Sequence, residues 1–162
     1  MVKGYSFTQI RLHWLVAGLI FFQLIFSDGM SEAWRTFERT GTTTVTTMAW
    51  AHIIGGSLVL ALVAWRLILR FTRGAPAAPE GLSPLVKLAG EAGHWALYAL
   101  MVAMPVTGLM AWFGGITSVS GLHAELLKVI LWVVIITHIA AALWHQFIRK
   151  DGLLLRMRKP LD

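Results

Sequence analysis

The chain has 162 residues, 57% of them hydrophobic and 14% charged, with a formal net charge of +6. Its mean hydropathy of +0.68 is far too high for a soluble domain of this size, so lipid is the expected solvent. The absence of cysteine excludes disulfides, thiolate metal sites, iron–sulfur clusters and covalent c-type heme attachment, and leaves histidine, methionine and carboxylate as metal ligands.

The first apolar segment, at about residues 10 to 27, carries His13 and Trp14 and lacks a small-residue cleavage site, so it is expected to stay as a helix. Further segments follow at about 49 to 71, 90 to 112 and 124 to 148, each long enough to span with some tilt. Helices are the open-chain solution in lipid, because each satisfies its own backbone hydrogen bonds. The predicted fold is all-α: a four-helix transmembrane bundle occupying residues 1–162 as a single domain. The first connection, Ser27 to Thr47, is polar and threonine-rich and breaks at Asp28-Gly29. The second, Thr72 to Ala89, carries Pro76, Pro79 and Pro84, and the third, Phe113 to Leu122, is rich in glycine and serine.

Eleven of the 14 basic residues fall on one side of this plan: Lys3 and Arg11, then Arg66, Arg70, Arg73 and Lys87, then Arg149, Lys150, Arg156, Arg158 and Lys159. By the positive-inside rule the N and C termini and the second connection are cytoplasmic. The positive charge thus reads as a topology signal, with no nucleic-acid partner implied. In a bacterium the chain would be a multi-pass protein of the inner (cytoplasmic) membrane, its first and third connections facing the periplasm.

All six histidines, at positions 13, 52, 94, 123, 138 and 145, lie in or at the end of a predicted span. Ionisable groups in lipid are costly and mark functional sites. By depth, His52 and His123 fall near the outer face and His13, His94 and His145 near the inner one, with His138 somewhat deeper. Two levels point to two sites. A bis-histidine b-type heme needs one imidazole from each of two facing helices, with small residues nearby so the porphyrin can lie against the backbone. His52 has Gly55 and Gly56 one turn on, His138 has Ala141 and Ala142, and His13 has Ala17. His123 and His138 are 15 residues apart, about 22 Å along an axis and about 60° out of alignment. Depth alone leaves His13 free to pair with His138 or with His145.

The pattern resembles the bacterial cytochrome b561 family of diheme cytochromes that includes superoxide oxidase. The resemblance runs nearly the whole chain and rests on the run Ile10-Arg11-Leu12-His13-Trp14-Leu15, on His52 with Gly55 and the later Trp65–Arg70, on Gly93-His94 with Met104-Pro105-Val106-Thr107-Gly108, and on His138–His145 leading to Arg149-Lys150-Asp151-Gly152. It implies two hemes b, with iron held by His13 and His138 at the inner level and by His52 and His123 at the outer. The family usually separates the two fourth-helix ligands by 14 residues; here the spacing is 15, with Ala124 as the extra residue, for which a local bulge or a shifted helix start would compensate.

Arg66 and Arg70 end the second span, either snorkelling to the interface or pairing with heme propionates. Lys128 lies about one and a half turns inside the fourth, either snorkelling or serving as a propionate partner or an anion-attracting charge. His94 and His145 are divided between packing and quinone contact. Two hemes at opposite faces make an electron path, and the resemblance implies superoxide as outer donor and ubiquinone as inner acceptor. Arg35, Arg39 and Lys128 would steer the anion, diluted by Glu32 and Glu38. Quinone reduction needs protons, and among His145, His94 and Glu91 the first choice is His145. The alternative is an electron-carrying cytochrome subunit docked on a partner protein such as a hydrogenase or formate dehydrogenase; the short connections favour an enzyme working alone.

Overall fold

In a computed structural model, which describes residues 4–160, every regular element is helical. Lys3, counted above toward orientation, lies outside the described residues. Four segments are long and apolar enough to cross a membrane: α1 (Phe7–Ile25), α3 (Thr47–Arg73), α4 (Pro84–Trp112) and the stretch Thr117–Arg149 that contains α5 (Lys128–Trp144). A fifth helix, α2 (Asp28–Thr40), lies within the first connection.

The spans begin at local signals. Ser6 caps α1 in a capping box, its hydroxyl accepting from the Gln9 amide at 3.3 Å while the Gln9 side chain accepts from the Ser6 amide at 3.0 Å. Thr46 caps α3, accepting from the Ala49 amide at 3.2 Å. Ser83 caps α4 with Pro84 in its first turn, so the third span starts six residues before the expected residue 90. That proline has the fixed φ a first turn wants and opens the helix rather than marking loop.

The first connection, expected to break at Asp28-Gly29, instead begins a helix there. Met30, Ala33, Trp34 and Phe37 recur at helical spacing and give α2 one apolar face, with Ala33 buried. Gly41 ends it at φ 71°. Gly29 lets it start against α3, because a Cβ there would fall 2.6 Å from the Met48 Cβ.

Two side-chain bonds fix α1 and α3 as antiparallel. Gln9, near the start of α1, donates to the carbonyl of Gly74 at 3.1 Å, and Gln23, near its end, donates to that of His52 at 2.8 Å. Val16, Val59, Val63 and Met101 join α1, α3 and α4 in one core cluster, and Leu100, Leu131 and Ile135 join α4 to α5 in a second. The outward side chains, among them Ile54, Ile68, Val133 and Ile136, are exposed, as a lipid-facing surface requires. Trp14 donates to the Met157 carbonyl at 2.8 Å and Arg156 to that of Ala77 at 2.6 Å. The start of α1, the α3–α4 connection and the C-terminal segment therefore gather at one end of the bundle.

Candidate functional site

The histidines come together at two levels. His52 of α3 faces His123 with ring centroids 6.2 Å apart, and His13 of α1 faces His138 of α5 with centroids 6.3 Å apart. Two imidazoles on opposite sides of one metal ion, with bonds of roughly 2.0 Å and roughly 1.1 Å from ring centre to nitrogen, have centroids about 6.2 Å apart. Both pairs fit that geometry, and α5 with its leading turn contributes to each.

His123 lies in a π-helical turn, Leu122–Leu127. Such a turn takes in one extra residue, the local bulge that the 15-residue spacing calls for. Its Nδ1 donates to the Met104 carbonyl at 2.8 Å, with the Thr107 hydroxyl 3.3 Å away. With Nδ1–H committed, the Nε2 lone pair is left for a metal. Gly108 makes room for the ring: a Cβ there would sit 3.0 Å from Cε1. The Met104–Gly108 motif, read above only as a family signature, is thus the cradle of His123.

On the facing helix, Nδ1 of His52 is buried without a partner. Gln23 donates to the His52 carbonyl, and its own Oε1 is likewise buried and unpaired. The Gln23 side chain packs against Gly55, its Nε2 2.5 Å from where a Cβ would stand, and Gly56 lines a cavity of about 420 Å³ that His52 and His123 also line. Lys128 and, from α2, Trp34 and Arg35 also line this cavity. Arg35 is paired to Glu32 at 3.1 Å on the surface.

At the other level a guanidinium stands beside the pair. Arg66 Nη2 lies 3.4 Å from His13 Nδ1, and its Nε and Nη1 are buried with no partner. Among the described residues no carboxylate is within 4.0 Å of it. A buried cation with two unused N–H groups calls for an anion, and a carboxylate such as a heme propionate matches it bidentately. Arg70 is half-buried one turn on, near Tyr5, whose phenol burial pushes up against the opposing charges of Arg70 and Arg66. His94 donates Nδ1–H to the Gly90 carbonyl at 2.7 Å and meets the His138 ring edge-on at 5.4 Å, too close for the shared-metal geometry. His145 stands apart from the pairs: it is buried, and its Nδ1 is 2.5 Å from Asp151 Oδ2.

Four contributors had no role assigned to them by the sequence reading. Gln23 and Thr107 carried a signal, a polar side chain inside an apolar span. Asp151 and α2 gave none that points to a histidine, since their positions depend on how the chain turns back.

The family model for prokaryotic cytochrome b561 matches residues 4–160. Cytochrome b562 of Cereibacter sphaeroides is 36% identical over 157 residues, covering 97% of this chain and 96% of that protein. Cytochrome b561 homolog 1 of Escherichia coli is 30% identical over 176 residues, 96% of this chain and 97% of that one. A probable superoxide oxidase CybB of Yersinia pestis is 29% identical over 180 residues, 97% of each.

Proposed function

Because this chain belongs to the prokaryotic cytochrome b561 family, and is thus a multi-pass bacterial membrane b-type cytochrome that transfers electrons, we propose a specific reaction for it. It binds two hemes b in the inner membrane, removes one electron from each of two superoxide ions at the periplasmic side, and reduces ubiquinone to ubiquinol at the cytoplasmic side. The observation that carries this reading is the pair of histidine couples, each at the separation of two imidazoles on one metal, at two levels of one bundle. The similarity to a probable superoxide oxidase supports the choice of donor.

When bound, each heme b would supply a one-electron carrier. The protein does the rest. His52 and His123 hold the outer group and His13 and His138 the inner, while Thr107 and the Met104 carbonyl keep His123 in the ligating tautomer. Arg66, with its unpartnered N–H groups beside His13, would hold a propionate of the inner group, with Arg70 one turn on. Lys128, which lines the outer cavity, draws in the superoxide anion. His145 delivers protons to the quinone, with His94 packed against His138 as a supporting contact.

The test is heme quantitation and reduced-minus-oxidised spectra of the purified protein and of His52→Ala and His138→Ala, followed by superoxide with and without a ubiquinone analogue. Two hemes per chain, one lost in each variant, and reduction by superoxide with reoxidation by quinone are expected. Two hemes indifferent to superoxide would replace this reading with that of an electron-carrying subunit, and a colourless protein would end both.

A further inference from the structure

Beyond α5 the chain turns back on itself. A second π-helical turn, His145–Arg149, is followed by Lys150 at φ 55° and Gly152 at φ 73°, and this reversal returns Asp151 onto His145. A left-handed lysine is held only where its surroundings enforce it. Asp151 Oδ2 lies 2.5 Å from His145 Nδ1 and 3.5 Å from Arg149 Nε, and Oδ1 accepts from the Leu153 amide at 3.2 Å. The two side chains keep 10% and 13% of their surface. Burial would raise the Asp151 carboxyl, but the bonds from His145 and Leu153 and the charge of Arg149 hold it below its ordinary value, so it is ionised at neutral pH.

Among the described residues His145 is the one histidine bonded to a carboxylate. His123 and His94 give Nδ1–H to backbone carbonyls, and His13 faces a guanidinium. Holding a ring in place needs only a neutral acceptor. A carboxylate does more: it fixes Nδ1–H and leaves Nε2 for chemistry.

We propose that Asp151 is the positioning residue of a proton-donating pair, holding His145 so that its Nε2–H is given to a carbonyl oxygen of the quinone. The idea rests on the quinone reduction proposed above and names the residue that makes it work. The quinone takes two electrons, arriving one at a time from two superoxide ions, and two protons. In each transfer the Nε2–H bond breaks and an O–H bond forms; the bonding pair stays on Nε2, and neutral His145 regains its proton from water at the cytoplasmic face. Asp151 keeps its charge throughout, and Arg149 is the cation facing the pair.

The experiment uses the heme-loaded protein in detergent, reduced with limiting dithionite and mixed with a short-chain ubiquinone in a stopped-flow instrument across a pH series. Asp151→Asn keeps an acceptor for the Leu153 amide and for His145 but loses the charge. Its heme content and spectrum should match the wild type, while reoxidation by quinone slows about tenfold to a hundredfold at pH 7 and the alkaline limb of its pH profile moves to lower pH. Asp151→Glu should recover most of the rate, and His145→Gln should match the slow variant. Wild-type reoxidation rate and pH profile in Asp151→Asn would overturn the proposal, as would a slowing that comes with heme loss or with an unshifted profile. Failure of the wild type itself to be reoxidised would instead overturn the quinone reaction, and this pair with it.

Discussion

Gly108 offers the sharpest test of the His123 cradle. A Cβ at this position would stand 3.0 Å from Cε1 and 3.3 Å from Nδ1 of His123, where ordinary contact begins at 3.4 Å. In Gly108→Ala the ring must therefore retreat by about 0.4 Å, stretching the 2.8 Å bond to the Met104 carbonyl toward the limit of a good hydrogen bond. Partial loss of that bond and mild overpacking cost about 1–2 kcal/mol together, or roughly tenfold in retention of the group at that level. Gly108→Leu, whose side chain would occupy the ring's own volume, should lose it altogether. The assay is heme per chain by pyridine hemochrome, with low-temperature difference spectra to identify which component falls. Val106→Ala, two residues away on an exposed surface, is the control and should change neither. A Gly108→Leu protein with full heme content and an unchanged spectrum would refute the cradle.

Three further outcomes are expected. Arg66→Gln removes the buried cation beside His13 and should lower one heme midpoint potential by about 60 mV, equivalent to roughly 1.4 kcal/mol of lost charge stabilisation, with Arg66→Lys a poor substitute for the bidentate fork; a potentiometric titration that finds both potentials unmoved would contradict the propionate role. Lys128→Glu should slow reduction by superoxide about tenfold at low ionic strength, with the difference shrinking as salt rises past the point where the Debye length is about 8 Å; a salt-independent effect would point away from steering. Asp151 is held below the ordinary value of 3.8 when folded, so its hold on the C-terminal segment is present above that pH and is lost as pH falls below it. Hydrogen exchange in residues 150–158 should rise below about pH 4 in the wild type, a step that Asp151→Asn lacks.

The four spans were legible because lipid leaves a chain few choices, and their ends differ from expectation by only a few residues, except at the starts of the third, Pro84, and the fourth, Thr117. At Pro84 composition misled: three prolines in one stretch read as loop, although the Ser83-Pro84 pair is a helix start. α2 was missed for a related reason, since its apolar face is narrow and its average character polar, so hydropathy hides what spacing reveals. The histidines were readable because a titratable group in an apolar span needs a reason to be there. Their supporting groups were not. The acceptors for His123 and His94 are backbone carbonyls, which carry no residue identity, and Asp151 reaches His145 only through the left-handed turn at Lys150.

The buried side-chain atoms that find no partner among the described residues belong to three residues: Gln23 Oε1 and His52 Nδ1 at one level, Arg66 Nε and Nη1 at the other. Elsewhere polar side chains inside the spans are satisfied locally, as when Ser57, Thr107 and Thr137 donate to carbonyls one turn back in their own helices. A bundle in lipid cannot satisfy an inner polar atom with bulk water, so such orphans are costly and would not be spread at random. Their confinement to the two histidine levels, with a free acceptor and a ring nitrogen at one and a guanidinium at the other, separates the levels chemically. One level offers the unused N–H groups of Arg66, and the other the unpartnered His52 Nδ1 and Gln23 Oε1, with Lys128 lining the same cavity. Two such different surroundings for two similar histidine pairs are how one fold would give two like cofactors unlike affinities for an electron, which directional transfer between them requires.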